Sequence, residues 1–162
     1  MANDAAGYDG PMHIRPARPD DAETIADYNA KMATETEGLQ LPPATVRAGV
    51  ASALQEPHKA RYFVAEIDGR VVGQLMITRE WSDWRNGDIW WIQSVYVDAD
   101  HRRCGVFRAL YQHARTEARA AGAVALRLYV EQDNRAAQQT YTQLGMSLTH
   151  YLVMEEPIAK DS

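Results

Sequence analysis

The stretch of sequence that decides the fold runs Val95-Tyr96-Val97-Asp98-Ala99-Asp100-His101-Arg102-Arg103-Cys104-Gly105-Val106-Phe107. An apolar strand ends, a short polar loop follows, and a glycine opens a helix. Backbone N–H groups at a helix start, together with the helix macrodipole, suit a pyrophosphate. Arg102, Arg103 and Arg108 add positive charge to the same place. The segment is neither a Walker loop nor the glycine-rich dinucleotide fingerprint, so it indicates an anion site of another kind.

Downstream of this loop, helices and strands are predicted to alternate. A first helical stripe consists of Val106, Phe107, Leu110, Tyr111, Ala114 and Ala118 and ends before Gly122. Residues 124–130 predict a strand. A second stripe, Ala136, Ala137, Thr140, Tyr141 and Leu144, is closed by Gly145 at the C-cap position. Residues 146–154 predict a last strand, parallel to the strand at 124–130 because a strand–helix–strand crossover is right-handed.

Upstream of the loop, two tight turns predict a three-stranded antiparallel meander. Asp68-Gly69 separates the apolar runs 62–67 and 71–78, and Asn86-Gly87 separates the second run from residues 89–97. Both central residues of such a primed turn need positive φ, which these dipeptides tolerate. The third strand is apolar at nearly every position, so we expect it to be buried on both faces.

The N-terminal third predicts a short strand and two helices. Residues 1–11 are small and polar and predict a flexible extension, and residues 12–15 alternate like a strand. Asp20 can cap a first helix, with Glu23 three residues later as in a capping box. Thr45 can cap a second helix over residues 45–54.

These elements predict one domain over residues 12–157, with a C-terminal tail at 158–162. The fold class is α/β (α+β), with a mixed, mostly antiparallel central sheet flanked by helices.

Composition bounds the class of protein. The chain has 162 residues, 46% hydrophobic and 24% charged, as in one globular domain. The sequence has no apolar run of about 18 residues, so no membrane span is predicted. The N-terminus lacks the basic and apolar regions of a secretory signal. Cys104 is the single cysteine, which excludes an internal disulfide and favours a cytoplasmic location. The net charge of −5 argues against nucleic acid as a partner and agrees with a cationic substrate.

Two motifs resemble the GNAT superfamily of N-acetyltransferases. The family's cofactor loop has the pattern Gln/Arg-x-x-Gly-x-Gly/Ala after a Val-rich strand, and Arg102 and Gly105 match its first two fixed positions. The run Asn134-Arg135-Ala136-Ala137-Gln138-Gln139-Thr140-Tyr141-Thr142-Gln143-Leu144-Gly145-Met146 resembles the family's Asn-x-x-Ala-x-x-x-Tyr-x-x-x-Gly-Phe. The resemblance covers residues 62–155 and implies a GNAT-like fold, acetyl-CoA as co-substrate and no metal.

The resemblance also implies roles for individual residues. Backbone groups of Val95 and Val97 pair with the pantetheine arm, and Asn134 contacts it. The hydroxyl of Tyr141 protonates the departing thiolate and makes this residue the predicted catalytic side chain. Backbone amides of residues 103–107 hold the pyrophosphate. The full set of predicted cofactor-binding residues is Val95, Tyr96, Val97, Arg102, Arg103, Cys104, Gly105, Val106, Phe107, Arg108, Asn134 and Ala137.

The chain departs from the family pattern at two places. Phe107 stands where the family has Gly or Ala, and it fits only if its ring turns toward the core face of its helix. The strand before the loop lacks the carboxylate that serves many family members as general base. A substrate amine has a pKa of about 10 and must lose a proton before it attacks. The candidates for this base are Glu35, Glu37, Glu80, Asp83 and Asp88, or a water chain held by Gln93 and Ser94.

The acceptor side is predicted from charge and aromatic residues. Glu35 and Glu37 follow the first helix, and Trp84 lies in a hairpin rich in tryptophan. Carboxylates and aromatic faces attract a cationic amine. The leading interpretation is therefore direct acetylation of a primary amine of a small molecule, with the N–H of Val95 as oxyanion donor. Acetylation of a protein or peptide, or a non-catalytic CoA-binding sensor, are the alternatives. No membrane partner is expected, and a homodimer is compatible because dimers are common in the family.

Overall fold

The computed structural model describes residues 11–158, which divide into two compact units between residues 129 and 130. The predicted N-terminal extension and C-terminal tail lie outside the described residues, apart from Pro11 and Ile158. No helix in the described part of the chain is both long enough and apolar enough to cross a membrane.

The first unit is built on a five-stranded mixed sheet. The strands lie in the sequence order β1 to β5, and every neighbouring pair is antiparallel except β4 and β5. This arrangement confirms the predicted mixed, mostly antiparallel sheet. The strands are β1 (Met12–Pro16), β2 (Arg61–Ile67), β3 (Arg70–Ser82), β4 (Gly87–Val97) and β5 (Ala125–Leu128). The helices are α1 (Ala22–Glu37), α2 (Pro43–Gln55) and α3 (Val106–Ala120).

The two hairpin turns differ from each other. Asp68 and Gly69 both have positive φ, 48° and 73°, as the primed turn requires. The β3–β4 turn instead spans residues 83–86, and Gly87 already belongs to β4, paired with Ser82. Its glycine serves packing, because a Cβ at Gly87 would lie 2.5 Å from a methyl group of Val124. The prediction that Asn86-Gly87 forms the same turn is therefore wrong.

Two neighbouring residues of β3 define the two faces of the sheet. The side chain of Gln74 points toward α1, where its Nε2 donates to the Oδ1 of Asn29 at 2.7 Å. The Cβ position of Gly73 points the opposite way, toward Val106 and Leu110 of α3. Helices α1 and α2 therefore pack on one face and α3 on the other.

Each face carries its own apolar core. The α1 and α2 side includes Ile25, Ala26, Val50, Ala53, Tyr62 and Val64. The α3 side includes Phe63, Leu75, Val106, Leu110 and Ala114, all at most 2% exposed. Burying a side chain of this size contributes about 1.5–3 kcal/mol, so both layers hold the sheet in place. β4 is buried on both faces near its start, at Ile89 and Trp90, and less so toward Val97.

A buried ion pair attaches the start of α1 to the sheet. Arg15 of β1 donates to both carboxylate oxygens of Asp21, at 2.8 and 3.0 Å. Burial alone would raise the pKa of Asp21, but hydrogen bonds from Arg15 and the Arg18 amide outweigh it and lower the pKa. The carboxylate at this turn is thus Asp21, which receives the Arg18 N–H, and not the predicted Asp20. Helix α2 begins at Pro43, so Thr45 lies inside it and does not cap it.

The second unit contains one helix, α4 (Arg135–Gln143), followed by Gly145 at φ 96°. This agrees with the predicted glycine stop. The predicted strand at residues 146–154 is wrong: no strand forms there in the described part of the chain. A strand needs a partner for its backbone N–H and C=O groups, and residues 130–158 include no other strand. The predicted parallel partner, shortened to β5, pairs with β4 across α3 instead.

Gly73 is predicted to be indispensable for the approach of α3 to the sheet. A Cβ there would lie 2.8 Å from Val106 Cγ1 and 3.2 Å from the Tyr96 carbonyl. We expect Gly73→Ala to lower the free energy of unfolding by about 1–3 kcal/mol through overpacking. Urea denaturation measures this. Gly49→Ala is the control, because Gly49 lies in α2 with nothing within 4 Å of its Cβ position, and it should be neutral or stabilising. Equal stability of both variants would contradict the packing argument.

Candidate active site

The second half of β4 lacks a partner on one side. β5 pairs with Ile89 to Ile92 and then ends, whereas β3 continues to pair as far as Val97. The β3–β4 register shifts between Met76 and Ile77, so Gln93 is an extra residue on β4, a β-bulge. Within the first unit, residues 93–97 therefore present an open strand edge.

The backbone groups on this open edge follow from strand geometry. The Asp98 N–H donates to the Val72 carbonyl of β3 at 2.9 Å. Because successive residues of a strand direct their backbone groups to opposite sides, Val95 and Val97 direct theirs away from β3. This orientation is the one that pairing with a pantetheine arm needs, and on Val97 the carbonyl also accepts a hydrogen bond from Arg102 Nε at 3.0 Å. It also leaves the Val95 N–H pointing into the opening, as an oxyanion donor requires.

The loop after β4 turns through two left-handed residues. Arg103 has φ 65° and Gly105 has φ 81°. A Cβ at Gly105 would meet nothing within 4 Å, so backbone shape and not crowding requires glycine there. Successive N–H groups in such a turn make a concavity that binds anions.

Helix α3 starts directly behind this loop. Its first backbone bond joins the Ala109 N–H to the Gly105 carbonyl at 3.0 Å, so the N–H groups of residues 106–108 precede the intrahelical ladder. Arg103 and Arg108 are exposed beside them. Cys104 is also exposed, with its Sγ 3.5 Å from the Arg102 carbonyl. These residues fit a pyrophosphate group, and the open strand edge fits the arm that would extend from it.

Phe107 lies against its own helix. Its ring is half-buried, and its centroid is 6.2 Å from that of Tyr111. Tyr111 is 3% exposed, so the Phe107 ring turns toward the core side of α3. This position meets the condition under which a large residue fits at the loop.

The Arg102 side chain contacts the last turn of α1. Its Nη2 donates to Glu35 Oε2 at 2.7 Å, and its Nε donates to the Val97 carbonyl at 3.0 Å. The Tyr96 hydroxyl donates to the second oxygen of Glu35 at 2.9 Å. The hydrogen bonds from Arg102 and then Tyr96 lower the pKa of Glu35. Glu35 is thus ionised at neutral pH and loses this pairing only as the pH falls through its lowered pKa.

The three predicted acceptor residues are not brought together. Glu35 faces Tyr96 and Arg102, whereas Glu37 is the exposed last residue of α1. Trp84 is 91% exposed in the β3–β4 turn. That turn and the anion loop lie at opposite ends of β4, about 30 Å apart at ~3.3 Å per residue. Trp84 therefore stands apart from the carboxylates of α1.

Some of the candidate general bases lie near the hairpin end of β4, and others lie on its open edge. Glu80 accepts from Trp91 Nε1 at 2.6 Å, and Asp83 accepts from the Trp84 N–H at 2.9 Å, both near the hairpin end of β4. Asp88 is the second residue of β4. Gln93 and Ser94 lie on the open edge instead, with Gln93 Nε2 bonded to the Thr78 hydroxyl at 2.9 Å. A polar pair inside an otherwise apolar strand was the sequence signal for this bulge.

The second unit holds the remaining predicted residues. The Asn134 Oδ1 accepts the Ala137 N–H at 3.0 Å, so Asn134 is the N-cap of α4, a role the motif also signals. Burial raises the pKa of Tyr141 above its ordinary value, so its hydroxyl keeps its proton at neutral pH. The roles of Asn134, Ala137 and Tyr141 toward acetyl-CoA stay predictions. Among the described residues no cluster of His, Cys, Asp or Glu is arranged to hold a metal.

Comparison with known proteins identifies the family and the fold. The family model described as acetyltransferase (GNAT) family matches residues 26–146. A solved structure of a possible acetyltransferase from Clostridium difficile 630 is 41% identical, with a TM-score of 0.86. The match covers 92% of this chain and 99% of that one. No curated protein matches the chain.

Two more distant structures share the fold. A ribosomal-protein-alanine N-acetyltransferase from Brucella melitensis biovar Abortus 2308 is 19% identical, with a TM-score of 0.74. That match covers 92% of this chain and 100% of the other. The second structure is an aminoglycoside acetyltransferase from an uncultured soil metagenomic sample, in complex with trehalose. It is 14% identical, with a TM-score of 0.73, and the match covers 92% of this chain and 97% of the other.

Gly105 provides a test of the anion loop. We expect Gly105→Val to weaken coenzyme A binding at least tenfold, because a β-branched residue resists the left-handed conformation that shapes the loop. Gly122→Val is a matched control. It has φ 73° and nothing within 4 Å of its Cβ position, but it follows the far end of α3. Both variants should lose similar stability, and calorimetry should find weaker binding only for Gly105→Val. Equal affinity in the two folded variants would overturn the loop assignment.

Proposed function

The chain belongs to the GNAT family of acetyltransferases, and we propose that it moves the acetyl group of acetyl-CoA onto a primary amine of a small molecule. The family uses acetyl-CoA as co-substrate. The observation that carries the proposal is the open edge of β4 at residues 93–97, which leads directly into the left-handed loop at the start of α3. An extended pantetheine arm and a pyrophosphate need these two features in this order.

The reaction is one nucleophilic substitution at the thioester carbonyl. The neutral amine nitrogen forms a bond to the carbonyl carbon, and the carbon–sulfur bond breaks. The Val95 N–H donates to the carbonyl oxygen as negative charge develops on it. The amine loses a proton to a water held at Gln93 and Ser94, which passes it to solvent. Tyr141 donates its hydroxyl proton to the departing thiolate and regains a proton from solvent. No covalent intermediate on the enzyme is required.

The position of Glu37 favours a cationic amine as acceptor. A carboxylate in the last turn of a helix is repelled by the negative end of the macrodipole, and α1 has no basic residue in its last turn. Among residues 11–158, no side chain forms an ion pair or hydrogen bond with Glu37. A substrate ammonium would supply the missing positive charge. The net charge of −5 supports the same class of substrate.

Peptide amines are the competing acceptors. Of the two distant structures, one is named for a ribosomal-protein alanine and the other for aminoglycosides. At 19% and 14% identity these likenesses show the fold alone. The fold is thus compatible with either class of acceptor, and the exposed Glu37 carboxylate makes a compact polyamine or amino sugar our first choice.

Thioester consumption tests the function. Acetyl-CoA at about one hundred times its Kd should raise the melting temperature by about 5–10 °C, since it binds the native state alone. Free coenzyme A should then appear only when an accepted amine is added. A panel of diamines, amino sugars and short peptides identifies the class. Turnover with peptides alone would replace the small-molecule proposal, binding without turnover would indicate a sensor, and no binding would overturn the acetyltransferase assignment.

Glu37→Gln tests the acceptor site. We expect the KM of the best amine to rise about two- to fivefold, the effect of losing one exposed ion pair, while kcat stays the same. Asp20→Asn is the control, because it removes an equal charge from an exposed site before the other end of α1. Steady-state kinetics at saturating acetyl-CoA measure both. A KM unchanged in Glu37→Gln would exclude this residue from the acceptor site.

Tyr141→Phe tests the proton donor. General acid catalysis contributes about 10²–10⁴-fold, and a thiolate is a good leaving group, so we expect kcat to fall about 10²-fold with little change in the Kd of acetyl-CoA. Tyr151→Phe is the control, a tyrosine of the second unit that is 65% exposed. If Tyr141 only fills space, its variant will lose a little stability and keep its turnover, which would remove it from the catalytic set.

A further inference from the structure

Glu35 connects three parts of the first unit that lie far apart in the sequence. It belongs to the last turn of α1, and its carboxylate contacts the end of β4 through Tyr96 and the anion loop through Arg102. Both carboxylate oxygens are occupied, one by each partner. The positive charge of Arg102 already compensates the Glu35 carboxylate, which weakens its attraction for a substrate ammonium.

We propose that Glu35 is a positioning residue for the anion loop, acting through Arg102, and that it serves coenzyme A affinity and not amine affinity. The inference rests on the proposed function, because it assigns the loop to the pyrophosphate. It separates the roles of two carboxylates that are only two residues apart: Glu37 attracts the amine and Glu35 holds the loop.

The loop needs such an anchor because its backbone is strained. Arg103 is a non-glycine residue in the left-handed region, at φ 65°, which costs about 1–2 kcal/mol. Such residues persist where their surroundings over-determine them. The residue directly before it, Arg102, is held at four points: by Glu35, by the Val97 carbonyl, by its own backbone bond to Ala99, and by the Tyr96 ring 5.4 Å below its guanidinium.

Helix α1, which carries Glu35, is held to the sheet by Tyr28. The ring of Tyr28, seven residues earlier on α1, lies 4.9 Å from the Tyr96 ring. The Tyr28 hydroxyl donates to the Val71 carbonyl of β3 at 2.8 Å. Both tyrosines are at most 6% exposed. The last turns of α1 are thus held to the sheet, so a bond from Glu35 to Arg102 transmits the position of the sheet to the loop.

The same contacts direct the Arg102 guanidinium to Glu35, the Val97 carbonyl and the Tyr96 ring, and Glu35 neutralises its charge. Charge at the anion site then comes from Arg103, Arg108 and the N-terminus of α3. Without Glu35 the Arg102 side chain would lose its ion pair and keep only its contacts with the Val97 carbonyl and the Tyr96 ring. A loop held less firmly has to be ordered when coenzyme A binds, which weakens affinity.

Glu35→Gln tests the proposal because it keeps the shape of the side chain and removes its charge. We expect calorimetry with coenzyme A alone, in the absence of amine, to show a Kd about three- to tenfold higher. The KM of the amine at saturating acetyl-CoA should be unchanged. A purely structural role would lower the melting temperature and leave both constants alone, and an acceptor role would raise only the KM of the amine.

Glu23→Gln is the matched control. Glu23 lies on the same helix, is exposed, and forms an equivalent ion pair with Arg47 at 3.1 Å, but nothing connects it to the loop. It changes the net charge by the same amount, so it should leave the Kd of coenzyme A at the wild-type value. An equal loss of affinity in Glu23→Gln and Glu35→Gln would reduce the effect to net charge and overturn the proposal.

Arg102→Gln completes a double-mutant cycle. If Glu35 acts through Arg102, the two single variants should raise the Kd of coenzyme A by similar factors. The Kd of the double variant should then be no higher than that of the more affected single variant. Independent, multiplying effects would overturn the proposal. Failure of the wild-type protein to bind coenzyme A would instead contradict the proposed function, so the two failures are distinguishable.

Discussion

Within the first unit, β4 is paired on one side only from Gln93 to Val97, and this is the constraint on which the candidate site depends. Buried backbone N–H and C=O groups are nearly always paired, and β5 satisfies this requirement only as far as Ile92. The bulge at Gln93 separates the paired part of β4 from the open part. The open edge then ends at the loop that starts α3, so the proposed sites for the pantetheine arm and the pyrophosphate would be continuous.

Close packing of α3 on the sheet keeps the loop next to the open edge of β4. Gly73 lets Val106 and Leu110 approach the sheet where a Cβ would collide with them, and Leu110 is fully buried. The N-terminus of the helix is thereby held beside the end of β4. Phe107 is accommodated because its ring turns toward Tyr111 and not toward the anion loop. The departure of this residue from the family pattern is thus absorbed by the helix itself.

The two carboxylates in the last turn of α1 have different surroundings. Two acidic residues end α1, where the macrodipole disfavours them. One of them, Glu35, is compensated by Arg102, and the other, Glu37, is exposed. An exposed ion pair contributes little to the stability of the fold. We therefore propose that the Glu35 pair serves the geometry of the loop and that Glu37 serves to attract the acceptor amine.

Local patterns in the sequence determined the meander, the helix after the loop and the glycines that end α3 and α4, because turn geometry and helical spacing depend on near neighbours. They also marked Arg102 and Gly105 as family positions. Three features were decided only by the tertiary structure. Residues 146–154 have the composition of a strand, but residues 130–158 offer them no partner strand, and a strand cannot form without one. Trp84 and the carboxylates of α1 were grouped by chemistry, yet the length of β4 separates them. Glu35 and Arg102 are 67 residues apart, so no local pattern could pair them, and their contact exists because α1 packs against the end of β4.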